Sequence, residues 1–254
     1  FMNSGRRKKI FAANWKMNLS AAEAEQFMRE MLAEELPEDT QVLIFPPALY
    51  LRRLAELSAA SPIEIGAQNI YWERSGAYTG EISAPMINEA GAKFVICGHS
   101  ERRHIFGESS EMVTRKAGAA QDEGITPLIC IGETLEERNA GETLEVLQSD
   151  TLSSLAAVEP DKQLIIAYEP VWAIGTGLTA TPQDAEASIA YIREQVRSIW
   201  GGLADEIRIL YGGSVNASNI AELIACPNID GALIGGASLK PESFIEIIKN
   251  GMNL

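Results

Sequence analysis

Short apolar, β-branched runs alternate with longer amphipathic stretches along almost the whole chain, and this alternation constrains the fold more than any other feature. Strands of a parallel sheet are buried on both faces and joined by helical crossovers, so they read as brief apolar runs between segments of helical period. Eight strand candidates can be counted: Lys9–Trp15, Gln41–Phe45, Ile63–Ala67, Phe94–Cys97, Thr126–Ile131, Leu164–Tyr168, Arg208–Leu210 and Gly231–Ile234. Helical patterns occupy Ala21–Glu35, Ala48–Ala59, Glu111–Glu123, Leu144–Ala157, Pro182–Trp200, Ala217–Ala225 and Pro241–Lys249. Start signals accompany three of them: Ser20 with Glu23 three residues on, Thr181 before Pro182, and Asn216 before the segment at Ala217. Eight strand–helix units in 254 residues, with no linker or break in composition, predict an α/β chain folded as a single-domain (β/α)8 barrel of parallel strands.

Phe1 precedes Met2, so residues 1–7 are expected to be an extension that is partly an expression remnant, leaving 8–254 for the barrel. The formal charge of −14, from 21 basic and 35 acidic residues, argues against nucleic-acid binding through a broad basic surface. No run of about eighteen apolar residues exists, and the basic cluster Arg6 to Lys9 leads only to a short apolar stretch broken at Asn14. Neither membrane association nor secretion is expected, and the predicted location is cytoplasmic. Three cysteines without C-x-x-C spacing suit a reducing compartment, and two histidines are too few for a multi-histidine metal site. No metal is expected.

In a barrel of this kind the informative residues stand at the C-terminal ends of strands, where the βα loops converge. The first strand runs into Asn14-Trp15-Lys16, an amide and an ammonium at its mouth, although a lysine there is ordinarily a solvated charge. The fourth ends in Cys97-Gly98-His99-Ser100-Glu101-Arg102-Arg103. Gly98 permits a sharp turn and leaves His99 at the start of a helical turn, whose positive end should keep its imidazole neutral. The sixth ends in Tyr168-Glu169-Pro170, where the proline favours an extended Glu169 and partial burial should raise the proton affinity of its carboxylate. The segment that follows, Pro170, Val171, Trp172, Ala173, Ile174, Gly175, Thr176 and Gly177, couples bulky apolar residues to hinge-tolerant glycines and suits a lid. Glycine pairs after the last two strands, Gly212-Gly213-Ser214 and Gly235-Gly236, allow an anion to approach backbone amides. Gln68 to Glu81 form a long loop whose Tyr71, Trp72 and Tyr78 are too apolar for free solvent, which favours docking onto a partner.

Together, Asn14-Trp15-Lys16, Gly98 to Arg103, Ala167 to Gly177, Tyr211 to Ser214 and Leu233 to Ser238 resemble the triosephosphate isomerase family, in family order from about residue 8 to the C-terminus. Gln68-Asn69 and Gly76 to Glu81 extend the resemblance, while Leu178 departs from it, standing where many members carry a basic residue. The resemblance implies a TIM barrel that interconverts dihydroxyacetone phosphate and glyceraldehyde 3-phosphate through an enediolate, in glycolysis and gluconeogenesis, without a cofactor. Carried over residue by residue, it implies Glu169 as the base, neutral His99 as the electrophile, Lys16 as the source of positive potential and Asn14 as a donor. It further implies Gly175, Ser214, Gly235 and Gly236 as phosphate-binding amides. A homodimer is also implied, built through Tyr71, Gly76, Tyr78, Thr79, Glu81 and Arg102, with Thr79 approaching the region of the partner subunit's Asn14 and the partner subunit's Lys16.

Overall fold

Each strand of the computed structural model, which describes residues 7–160, 163–174, 176 and 178–253, is followed by helix, and the eight strands close on themselves in sequence order. The order is β1 (Lys9–Asn14), α1 (Ala21–Leu32), β2 (Thr40–Phe45), α2 (Leu51–Ser58), β3 (Ile63–Ala67), α3 (Ala84–Glu89), β4 (Phe94–Cys97), α4 (Ser100–His104), α5 (Ser110–Asp122) and β5 (Thr126–Ile131). It continues through α6 (Leu135–Asn139), α7 (Thr143–Ser154), β6 (Ile165–Tyr168), α8 (Pro182–Trp200), β7 (Arg208–Tyr211), α9 (Ile220–Ala225), β8 (Gly231–Ile234) and α10 (Pro241–Gly251). All pairings are parallel, and the register Ile10↔Gly231 to Ala13↔Ile234 seals β1 to β8. This is the single-domain (β/α)8, or TIM, barrel.

Period-two geometry decides which residues fill the barrel. Ile10 and Ala12 of β1 point inward and join Leu43, Phe45, Phe94, Ile96, Leu128, Cys130, Ile165, Ala167, Leu210 and Leu233 in one interior cluster. Their neighbours Phe11 and Ala13 point outward, into the larger layer shared with Phe27, Met28, Ile189 and Phe244 of the surrounding helices. A strand buried on both faces has few polar positions to alternate, which is why these runs are apolar apart from residues at or near their ends such as Lys9, Gln41, Glu64 and Arg208.

Helix starts follow the local code where a side chain can reach the first turn. Ser20 and Glu23 form a reciprocal capping box, as do Thr181 and Asp184. Such a cap contributes about 1 kcal/mol. The start predicted at Asn216 is displaced: α9 begins at Ile220, and the Asn216 side chain instead accepts from the backbone N–H groups of Ser218 and Asn219, closing a turn. The short helices α3, α4 and α6, of five or six residues, had no periodic signature, since one turn and a half does not repeat. Likewise α2 starts at Leu51, because Ala48–Tyr50 form a 3-10 turn after Pro46-Pro47. Among the described residues no helix is long and apolar enough to cross a membrane.

Candidate active site

A cavity of about 390 Å³ opens at the C-terminal end of the barrel, lined by Asn14, Lys16, His99 and Glu169 together with Ser214, Gly235 and Gly236. These residues come from the ends of β1, β4, β6, β7 and β8, far apart in sequence and adjacent only once the sheet has closed.

Lys16 has φ +53°, a left-handed conformation that costs a side chain-bearing residue on the order of 1–2 kcal/mol. It is held there by its surroundings. Its N–H donates to Asn14 Oδ1 at 3.0 Å, its carbonyl accepts from Gln68 Nε2 at 2.7 Å, and its ammonium reaches Glu101 Oε1 at 2.6 Å.

Gly98 has φ +72°, and a Cβ there would meet Val113 Cγ2 at 2.5 Å, so the turn out of β4 admits only glycine. The turn delivers His99 to the N-cap of α4, where Nδ1 accepts from the backbone N–H of Glu101 at 3.2 Å. An accepting Nδ1 leaves the proton of the neutral ring on Nε2, which lies 3.0 Å from Glu169 Oε1. Glu169 is almost wholly buried and also accepts from Ser100 N at 2.9 Å and Ser100 Oγ at 3.1 Å.

Two expectations about ionisation are corrected by this arrangement. Burial raises the proton affinity of Glu169, as expected, but the facing His99 and the Ser100 N–H outweigh it and hold the carboxyl below the usual carboxylate range. For His99, burial opposes the imidazolium, but the Glu169 carboxylate opposes burial and carries the ring above its ordinary value, rather than below it as the helix start alone would. The cause of both is one contact that local sequence does not encode.

The predicted lid segment is described at Pro170 to Ile174 and at Thr176; Gly175 and Gly177 lie outside the described residues. Val171–Ala173 form a 3-10 turn with Trp172 and Ala173 buried, and Ala173 and Ile174 face the cavity. Glu133, at the end of β5, grips the turn. Its carbonyl accepts from Val171 N at 3.1 Å, and its Oε1 accepts from Trp172 Nε1 at 2.9 Å and Tyr168 Oη at 3.1 Å. Arg138 stacks over the Trp172 ring at 4.0 Å.

At the far side of the cavity Gly212 packs against Glu169: a Cβ there would come within 2.9 Å of Glu169 Cγ. Gly235 leads into a 3-10 turn at Gly236–Ser238, and a Cβ at Gly235 would lie 3.4 Å from Lys16 Cε. The residues expected at a dimer surface do not line the cavity. Tyr71 stacks on Trp72 and packs tilted against Tyr78, with ring centroids 4.1 and 4.6 Å apart, and Gly76, Tyr78, Thr79 and Glu81 are exposed on the projecting loop. Arg102 pairs with Glu108 and lies over the Phe106 ring. Ser100, Glu101, Gln68 and Glu133 were not singled out from sequence. Three of them stand inside or beside recognisable motifs, but their partners are visible only in three dimensions.

Known proteins give the same reading. A family model described as triosephosphate isomerase matches residues 9–251. Triosephosphate isomerase of Carboxydothermus hydrogenoformans is 49% identical over 251 residues, covering 97% of this chain and 100% of that protein. That of Acetivibrio thermocellus is 46% identical over 246 residues, covering 96% and 98%, and that of Chloroflexus aurantiacus 47% identical over 244 residues, covering 94% and 97%. A match this even along the sequence, over a barrel whose mouth gathers the ammonium, imidazole, carboxylate and glycine loops, leaves one assignment: the chain belongs to the triosephosphate isomerase family.

Proposed function

We propose that this chain's triosephosphate isomerase activity, the interconversion of dihydroxyacetone phosphate and D-glyceraldehyde 3-phosphate, runs through an enediolate held in this cavity, with Glu169 moving the proton between adjacent carbons. The observation that carries the reading is that a carboxylate and the N–H of an imidazole share one wall of a cavity with an ammonium and two glycine turns.

In the arrangement described, both Glu169 oxygens are occupied by donors from His99 and Ser100, which makes it a weak base. Turning the carboxylate toward substrate removes those donors while the site stays dry, and burial then acts alone to raise its proton affinity. The same movement takes the carboxylate away from His99. Burial, the largest influence on the ring, then acts with the Lys16 ammonium against the imidazolium and is opposed only by the Glu101 carboxylate, so His99 meets the carbonyl oxygen as a neutral Nε2–H donor. Lys16 and Asn14 add positive potential and a donor at the growing oxyanion. Ser214, Gly235 and Gly236, with Gly175 of the lid, bind the phosphate through backbone amides. Excluding water matters because an α-proton is weakly acidic and the carboxylate base suffices only when the enediolate is stabilised.

The proposal extends to a homodimer. Met17, Leu49, Ile105 and Phe106, respectively 95, 89, 71 and 65% exposed, follow β1, β2 and β4, beside the projecting loop after β3 that carries Tyr78. Large apolar side chains grouped at the ends of the first four strands are suited to burial against a second copy. A coupled assay of the purified chain with glyceraldehyde 3-phosphate, without added metal or nucleotide beyond the coupling system, tests the activity; absence of turnover in the folded protein overturns the reading.

A further inference from the structure

The Lys16 ammonium is set by a backbone in the left-handed region, and one side chain from a different strand end holds that backbone. Gln68 follows directly on β3 and donates from a single amide nitrogen to two carbonyls, Lys16 O at 2.7 Å and Phe45 O at 3.0 Å. Phe45 O, at the end of β2, also accepts from Trp15 N at 3.1 Å. The loop that carries Lys16 is therefore tied to β2 directly and to β3 through Gln68. The next residue is itself anchored: Asn69 Oδ1 accepts from the buried Lys116 ammonium at 2.8 Å, and Lys116 pairs with Glu108, which also receives Arg102.

We infer that Gln68 is a positioning residue that acts on the reaction through Lys16, keeping the ammonium over the phosphate and oxyanion site by fixing the Lys16 backbone conformation. The inference rests on the placement of Lys16 in the catalytic machinery. Gln68 does not itself line the cavity and its side-chain amide bonds the backbone of Lys16 and Phe45, so any effect it has on the reaction must pass through Lys16.

The test is a double-mutant cycle. Gln68→Met keeps the length of the side chain and removes its donor, and a displaced ammonium should lower kcat/KM by roughly 10- to 100-fold. Affinity for inorganic phosphate, read by competitive inhibition, should fall with it, and a crystal structure should show Lys16 out of the left-handed region. In a Lys16→Ala background, Gln68→Met should then have almost no further effect on turnover or on phosphate binding measured by calorimetry. Losses of the same factor in both backgrounds overturn the inference while leaving Lys16 in its role. Unimpaired turnover of Lys16→Ala alone overturns the reading beneath it. A Gln68→Met protein that fails to fold, or that loses thermal stability with kcat and KM unchanged, also overturns it, because the side chain then serves the barrel rather than Lys16.

Discussion

Nε2 of His99 lies 3.0 Å from Oε1 of Glu169, joining two ionisable groups of the cavity wall into a single hydrogen-bonded unit with Ser100. Each partner shifts the other toward its charged form against the penalty of burial. The resting site is thus a stabilised pair, which must be parted if Glu169 is to act as the proposed base.

Replacing Glu169 with Gln keeps the size of the side chain but removes the carboxylate proposed as the base. Turnover in either direction is expected to fall at least about a thousandfold, since general acid–base catalysis contributes roughly 10²- to 10⁴-fold. Steady-state kinetics check this, and near-native kcat would remove Glu169 from the role.

The pair should also mark the pH dependence of stability. Glu169 is depressed below its ordinary 4.5, so its contribution is present above that value and is lost as pH falls through the folded pKa. His99 is raised above its ordinary 6.5, so its contribution is complete below that value and is lost as pH rises through the folded pKa. The two overlap between them. Urea unfolding of the native protein and His99→Gln across pH should show the largest difference at about pH 5.5, narrowing on both sides. A difference that grows steadily from pH 5 to 9 would contradict the pairing.

Glu133 should matter through Trp172 and not through charge. In Glu133→Ala the buried indole N–H loses its acceptor, at a cost of about 1–3 kcal/mol, whereas Glu133→Gln retains an oxygen there and should cost less than about 1 kcal/mol. Denaturant midpoints of the two variants decide it. Equal losses would mean that the charge, and with it Arg138, is the important feature.

Phe106→Asp places a charge in the exposed apolar group that follows α4. Sedimentation equilibrium should show the native chain at twice its 27.6 kDa and the variant shifted toward one copy. A native protein that sediments as one copy at micromolar concentration would rule out the proposed dimer.

What the sequence determined by itself was much of what depends on near neighbours. β3, β4, β5 and β8 have the bounds read from apolar runs, Gly98 turns the chain where only glycine can, and Ser20 and Thr181 start their helices. Asn216 misled because the same side chain can close a turn as readily as cap a helix, and the choice depends on where α9 packs. The tertiary structure alone decided the ionisation of the site and its supports. Glu169 finds Ser100 across 69 residues, Lys16 finds Glu101 across 85, and Gln68 reaches Lys16 across 52. Periodicity reports which face of an element is buried, but closure of the barrel chooses which strand ends become neighbours, and at hydrogen-bonding distance that choice sets charge and conformation.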